Sequence, residues 1–74
     1  MRETPRSFVG TVTLRLQRVP CPHQRQRARA ELAALGGVRL RGFDAAAVSV
    51  TADRPTDRTA VVQALERAGC QVRD

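Results

Sequence analysis

Phe8-Val-Gly-Thr11-Val-Thr-Leu-Arg-Leu16, followed directly by Gln17-Arg-Val19-Pro-Cys21-Pro-His-Gln24, is the stretch whose reading decides the fold. In its first part the apolar residues alternate, with Val12, Leu14 and Leu16 on one face and Thr11, Thr13 and Arg15 on the other. That period of two is the pattern of a half-buried strand. The alternation stops at Val19-Pro20-Cys21-Pro22, where two prolines at alternate positions cannot continue a ladder and force a loop. Pro22 is then well placed for a first helical turn, where its missing N–H costs nothing. From about Pro22 or His23 to Leu35 the spacing changes to that of a helix, with Ala28, Leu32 and Leu35 on one stripe. Gln24, Arg25, Arg27, Arg29 and Glu31 cover the rest of it, and Gly36-Gly37 ends it.

Working outward, Val38 to Asp44 reads as a second strand, with Val38 and Leu40 inward and a bulge at Gly42 that returns Phe43 to the core. Ala45–Ala47 is a short connection and Val48–Thr51 a third strand. Pro55 and Thr56 or Asp57 supply the stop and cap for a second helix, whose stripe is Val61, Leu65 and Ala68. Gly69 ends that helix, and Cys70-Gln-Val72-Arg reads as a short closing strand. Residues 1–7 are expected to form a disordered tail and 8–74 a single domain. The order is β-α-β-β-α-β, which gives an α+β fold: a ferredoxin-like sandwich with a four-stranded antiparallel sheet and two helices on one face.

The 74 residues bound what such a chain can do. A domain this short has little room for an internal substrate cavity, so a site is expected in a surface loop at one end of the sheet. The chain is 42% hydrophobic, yet only Phe8 and Phe43 are aromatic, so the core is built from Val, Leu and Ala. No apolar run approaches the ~20 residues needed to span a bilayer, and no signal segment follows Met1–Arg6, so a cytoplasmic protein is expected. The 13 basic residues, all arginine, exceed the 7 acidic ones and leave a net charge of +6. The absence of Lys, Ile and Asn points to GC-rich coding, which explains arginine in place of lysine but not the excess of positive charge. That excess favours acidic partners. Two cysteines, Cys21 and Cys70, are too few for a disulfide scaffold and are compatible with a reduced thiol site.

At Val19-Pro-Cys21-Pro-His-Gln24 the chain resembles the heavy-metal-associated, copper-chaperone-like family, whose loop after its first strand reads roughly Met-Thr-Cys-x-x-Cys. Cys21 falls on the first cysteine of that motif and Gln24 on the second, so the dithiol is incomplete. Gly37-Val38 and the ending Ala64-Leu65-Glu-Arg-Ala68-Gly69-Cys70-Gln-Val72 resemble the family's framework, and the likeness covers about residues 8–73.

The resemblance implies soft-metal chemistry. A Cys-x-x-Cys at a helix start suits Cu(I), which two thiolates bind nearly linearly, while the first-turn N–H groups favour the thiolate form. Gln24 offers only a hard, neutral amide oxygen. Two substitutes are available: His23, whose imidazole suits Cu(I) or Zn(II), and Cys70, which in this topology stands in the loop beside that of Cys21. The metal-ligand candidates are therefore Cys21, His23 and Cys70. Against them stand plainer roles: a relic of a lost site for Cys21, a solvated side chain for His23 and a small buried apolar residue for Cys70. A Cys21–Cys70 disulfide is a further reading if the two Cα atoms lie within about 7 Å.

Arg18, Arg25 and Arg29 are the candidate partner-binding residues, since positions 25 and 29 share a helix face. An acidic protein is the expected partner, by resemblance a metal-transporting ATPase domain. Nucleic acid is disfavoured because the sheet lacks the paired aromatics on which bases stack. The alternative to metal handling is an interaction module in which the site has decayed and the arginine-rich helix works alone. The chain is expected to be a monomer or a homodimer bridged by metal through two Cys21 loops. No enzyme is expected, because His23 has no nucleophile or carboxylate at a readable spacing and no phosphate loop is present.

Overall fold

The computed structural model describes residues 7–73. The elements are β1 (Ser7–Arg15), α1 (Pro22–Ala33), β2 (Val38–Asp44), β3 (Ala47–Asp57) and α2 (Arg58–Arg67). The tail expected over 1–7 lies outside the described residues apart from Ser7, which pairs with Asp57 at the start of β1. No described helix is long and apolar enough to cross a membrane.

The sheet is antiparallel with strand order β1-β3-β2. Its inner face carries Leu14, Val38, Val48, Val50 and Ala52, all buried, and Val12 and Leu40, partly buried. Both helices lie on that face. α1 contributes Ala28 and Leu32, and α2 contributes Val61, Ala64 and Leu65. Each fully buried Leu or Val supplies roughly 1.5–3 kcal/mol of transfer free energy, and these side chains form one continuous core. The outer face is polar, with a Thr11–Thr51 hydroxyl pair at 2.9 Å and a Thr13–Ser49 pair at 3.2 Å linking β1 to β3.

The bulge expected at Gly42 is present: the register of β2 against β3 shifts between Leu40 and Gly42, and Phe43 packs against the core. α1 stops at Ala33, with Ala34 and Leu35 in the turn, and Gly36 and Gly37 follow with φ of +74° and +71°. That left-handed backbone costs glycine nothing.

Two expectations need correction. β3 does not stop at Thr51 but runs on through Pro55 to Asp57. Between Ala52 and Thr56 the register against β1 shifts, so that residues 53–55 lie opposite Val9 alone. A proline is tolerated there because a bulge makes no regular ladder bond. Among the described residues the sheet also has three strands where four were expected. The closing segment meets β1 at one antiparallel bridge, Leu16 to Val72. Gln17 N–H donates to the Gln71 carbonyl at 2.9 Å, and Arg73 N–H donates to the Arg15 carbonyl at 2.7 Å. The contact is short because β1 leaves its extended course after Leu16 to enter the Val19–Pro22 loop.

Candidate functional site

That short contact sets the geometry of one end of the molecule. It holds Cys70, just after α2, beside the loop that opens α1, so the two cysteines come from neighbouring loops. Cys21 is the N-cap of α1, with extended backbone (φ −76°, ψ 165°) and an exposed side chain. Its Sγ accepts a hydrogen bond from the Gln24 backbone N–H at 3.4 Å. Gln24 returns the bond, its Oε1 accepting from the Cys21 N–H at 3.1 Å. This is a capping box with cysteine in the place of serine or threonine, and it satisfies two first-turn donors at once.

Gln24 also reaches across to the other loop. Its Nε2 donates to the Gly69 carbonyl at 3.3 Å, and its own carbonyl lies 4.0 Å from the Cys70 Sγ, which points its S–H at it. Both sulfurs therefore touch the main chain of a single residue. Gly69 has φ +90°, a left-handed backbone that favours glycine, and a Cβ there would lie 3.0 Å from the Gln24 Nε2 and crowd the end of that side chain.

The two thiols differ in environment. Cys70 is 3% exposed and packs with the core, whereas Cys21 faces solvent. Burial pushes the Cys70 thiol above its ordinary range, and the negative charge of a Cys21 thiolate pushes it further. A cleft of about 330 Å³ runs beside Cys70, lined by Gln17, Arg18, Pro20, Gln24, Glu66 and Gln71 among others.

The other candidates fall as follows. His23 is exposed on the first turn of α1. Among the described residues no group of three His, Cys, Asp or Glu side chains converges, so His23 does not complete a three-ligand set with the cysteines. Arg18 sits at the cleft, joined to the thiol end, while Arg25 and Arg29 stand exposed along α1. Among the described residues the ion pairs are Arg67–Glu31 at 3.2 Å, which ties α2 to α1, and Arg39–Asp53 at 3.4 Å. Neither involves the α1 arginines.

Gln24 is the residue that sequence reasoning missed. Weighed as a replacement ligand, it offered nothing; as the fourth residue of Cys21-x-x-Gln24, it had the spacing of a capping box, which was the signal available.

The donor set tests what this end could hold. Two thiols suit Cu(I), a soft ion content with two sulfur ligands. A tetrahedral Zn(II) site, which wants at least three protein ligands, is not assembled from the described residues.

Fold and site together define a small α+β domain that presents one exposed and one buried thiol at the end of its sheet. The chain is similar to the solution structure of apo-CopP from Helicobacter pylori, with 22% identity over 85% of this chain and 98% of that one and a TM-score of 0.72. At that identity the likeness establishes the fold. No protein family matches the chain by sequence pattern, and no curated protein matches it.

Proposed function

We propose that this protein is a metal carrier that holds Cu(I) between Cys21 and Cys70 and passes it to an acidic protein partner. The observation that carries the reading is the pair of thiols brought from separate loops to the main chain of Gln24. The likeness in fold to apo-CopP and the resemblance to heavy-metal-associated domains support it. In this reading the second motif thiol, lost at position 24, is supplied by Cys70.

The exposed Cys21 meets the incoming ion first, and Cys70 completes the pair from beneath. Binding releases the proton of each thiol, so it strengthens as pH rises. The ion is cargo, and transfer exchanges these thiolates for the partner's one at a time. His23, exposed beside Cys21, is placed to act as a transient ligand on that path. The carrier performs no catalysis and works in the cytoplasm, where thiols stay reduced. An anaerobic Cu(I) competition titration against a chromophoric chelator checks this. The parent is expected to hold Cu(I) far more tightly than Cys21→Ser, and equal affinities would remove the proposal.

A second reading rests on a separate observation, the α1 arginines that make no ion pair among the described residues. Here the domain is an interaction module whose working surface is Arg18, Arg25 and Arg29. It predicts that charge reversal at Arg25 and Arg29 abolishes partner binding while Cys21→Ser leaves it unchanged.

A further inference from the structure

We infer that Cys21 and Cys70 form a redox pair, closing into an intramolecular disulfide on reaction with a low-molecular-weight disulfide. The consequence for metal, a site that opens only when reduced, rests on the carrier reading; the disulfide itself does not.

The inference starts from position. The chain has two cysteines, and the fold brings both to one residue, with Cys21 Sγ 3.4 Å from the Gln24 nitrogen and Cys70 Sγ 4.0 Å from the Gln24 carbonyl oxygen. Neither cysteine lies within a helix. Cys21 sits outside the helix as its cap, and Cys70 follows Gly69, whose left-handed backbone marks a turn after α2 and not a helical residue. Closure exchanges these weak sulfur hydrogen bonds for a covalent bond, and it needs the two Cα atoms within about 7 Å.

Exposure orders the steps. Cys21 faces solvent and is the thiol a small reagent can reach, whereas Cys70 is buried. The cleft at this end is lined by Arg18, by the Gln17 and Gln71 amides and by the Glu66 carboxylate, so among the described residues Arg18 is the one cationic group it offers a reagent bearing carboxylates. In the first step the Cys21 sulfur, having given its proton to solvent, attacks one sulfur of the reagent. A mixed disulfide forms, the reagent's S–S bond breaks, and one thiolate leaves. In the second step Cys70 loses its proton and attacks the Cys21 sulfur. The Cys21–Cys70 bond forms and the second reagent thiolate leaves. Two electrons have then passed from the protein to the reagent, which becomes two thiols by taking up the two protons.

The experiment incubates reduced, metal-free protein with oxidised glutathione, quenches with acid and reads intact mass and free thiols. The parent is expected to end as a monomer two hydrogens lighter that dithiothreitol restores. Cys70→Ser is expected to stop at a mixed disulfide on Cys21, and Cys21→Ser to stay reduced at least tenfold longer. A parent that stops at the mixed disulfide as Cys70→Ser does, that links into dimers, or that does not react overturns the inference. Cu(I) titration of the reduced protein is read separately, so a failure of the carrier reading and a failure of the redox pair are told apart.

Discussion

The two helices pack on one face of the same sheet, yet they are held there by different means. α2 buries Val61, Ala64 and Leu65, with Ala68 behind them, and sets Asp57 as an ordinary N-cap whose carboxylate accepts from the Thr59 N–H at 2.9 Å. α1 buries only Ala28 and Leu32 of its twelve residues and exposes Arg25, Arg27 and Arg29. Its start is held by the Cys21–Gln24 capping box and by Pro22. In α2 the apolar residues that hold the helix to the sheet are hidden from any partner. In α1 the residues that start the helix are also those of the candidate site, so chemistry at Cys21 acts on the fold as well.

The largest expected effect tests the α2 side of this contrast. Leu65→Ala removes a fully buried side chain and is expected to cost roughly 2–5 kcal/mol, measured from the shift of a urea midpoint. Its thiols should keep their reactivity under conditions where the variant stays folded. A smaller effect is expected on the α1 side. Gln24→Ala loses the capping box and the bond to Gly69, costing about 1 kcal/mol by the cap alone, and should also weaken Cu(I) binding. Gln24→Glu keeps an acceptor for the Cys21 N–H but cannot donate to the Gly69 carbonyl. It separates the two roles: retained stability with weakened Cu(I) binding would show that the link between loops matters beyond the cap.

A third prediction concerns pH. Cys70 has its thiol raised in the folded state, so its neutral form is the one the fold favours. That contribution is fully present below the ordinary thiol value of 9.0 and is lost as pH rises through the raised folded value. Stability of the parent should therefore fall more steeply above pH 9.0 than that of Cys70→Ala, in chemical unfolding repeated across pH. Cu(I) affinity should move the opposite way and rise with pH. The smallest effect on stability belongs to Arg25→Glu with Arg29→Glu, exposed positions where the change stays within about 0.5 kcal/mol. The same double variant should weaken capture by an acidic partner, with a loss that diminishes at high salt.

Much of this molecule was legible in its sequence, and the contrast between the helices shows why. The alternation of Val12, Leu14 and Leu16, the Val61–Leu65–Ala68 stripe and the Gly42 bulge are local patterns, and local patterns survive folding. The misreadings were of pairing at a distance. Pro55 looked like a strand end because nothing nearby reveals that it would fall in a bulge against Val9. Cys70–Arg73 had the look of a strand, but its length depended on where β1 turned away. At the site, Cys21 and Cys70 could be placed in neighbouring loops from topology and Cys21-x-x-Gln24 had the spacing of a capping box, whereas the reach of the Gln24 amide to the Gly69 carbonyl depends on side-chain geometry that no spacing encodes.

The central claim is that one Cu(I) ion is shared by two thiols from two loops of one chain. X-ray absorption at the copper edge, on monomeric protein loaded anaerobically with one Cu(I), tests it most directly. The account predicts two sulfur neighbours in the parent and one in Cys70→Ser. One sulfur in the parent, or two that persist in Cys70→Ser, would contradict it.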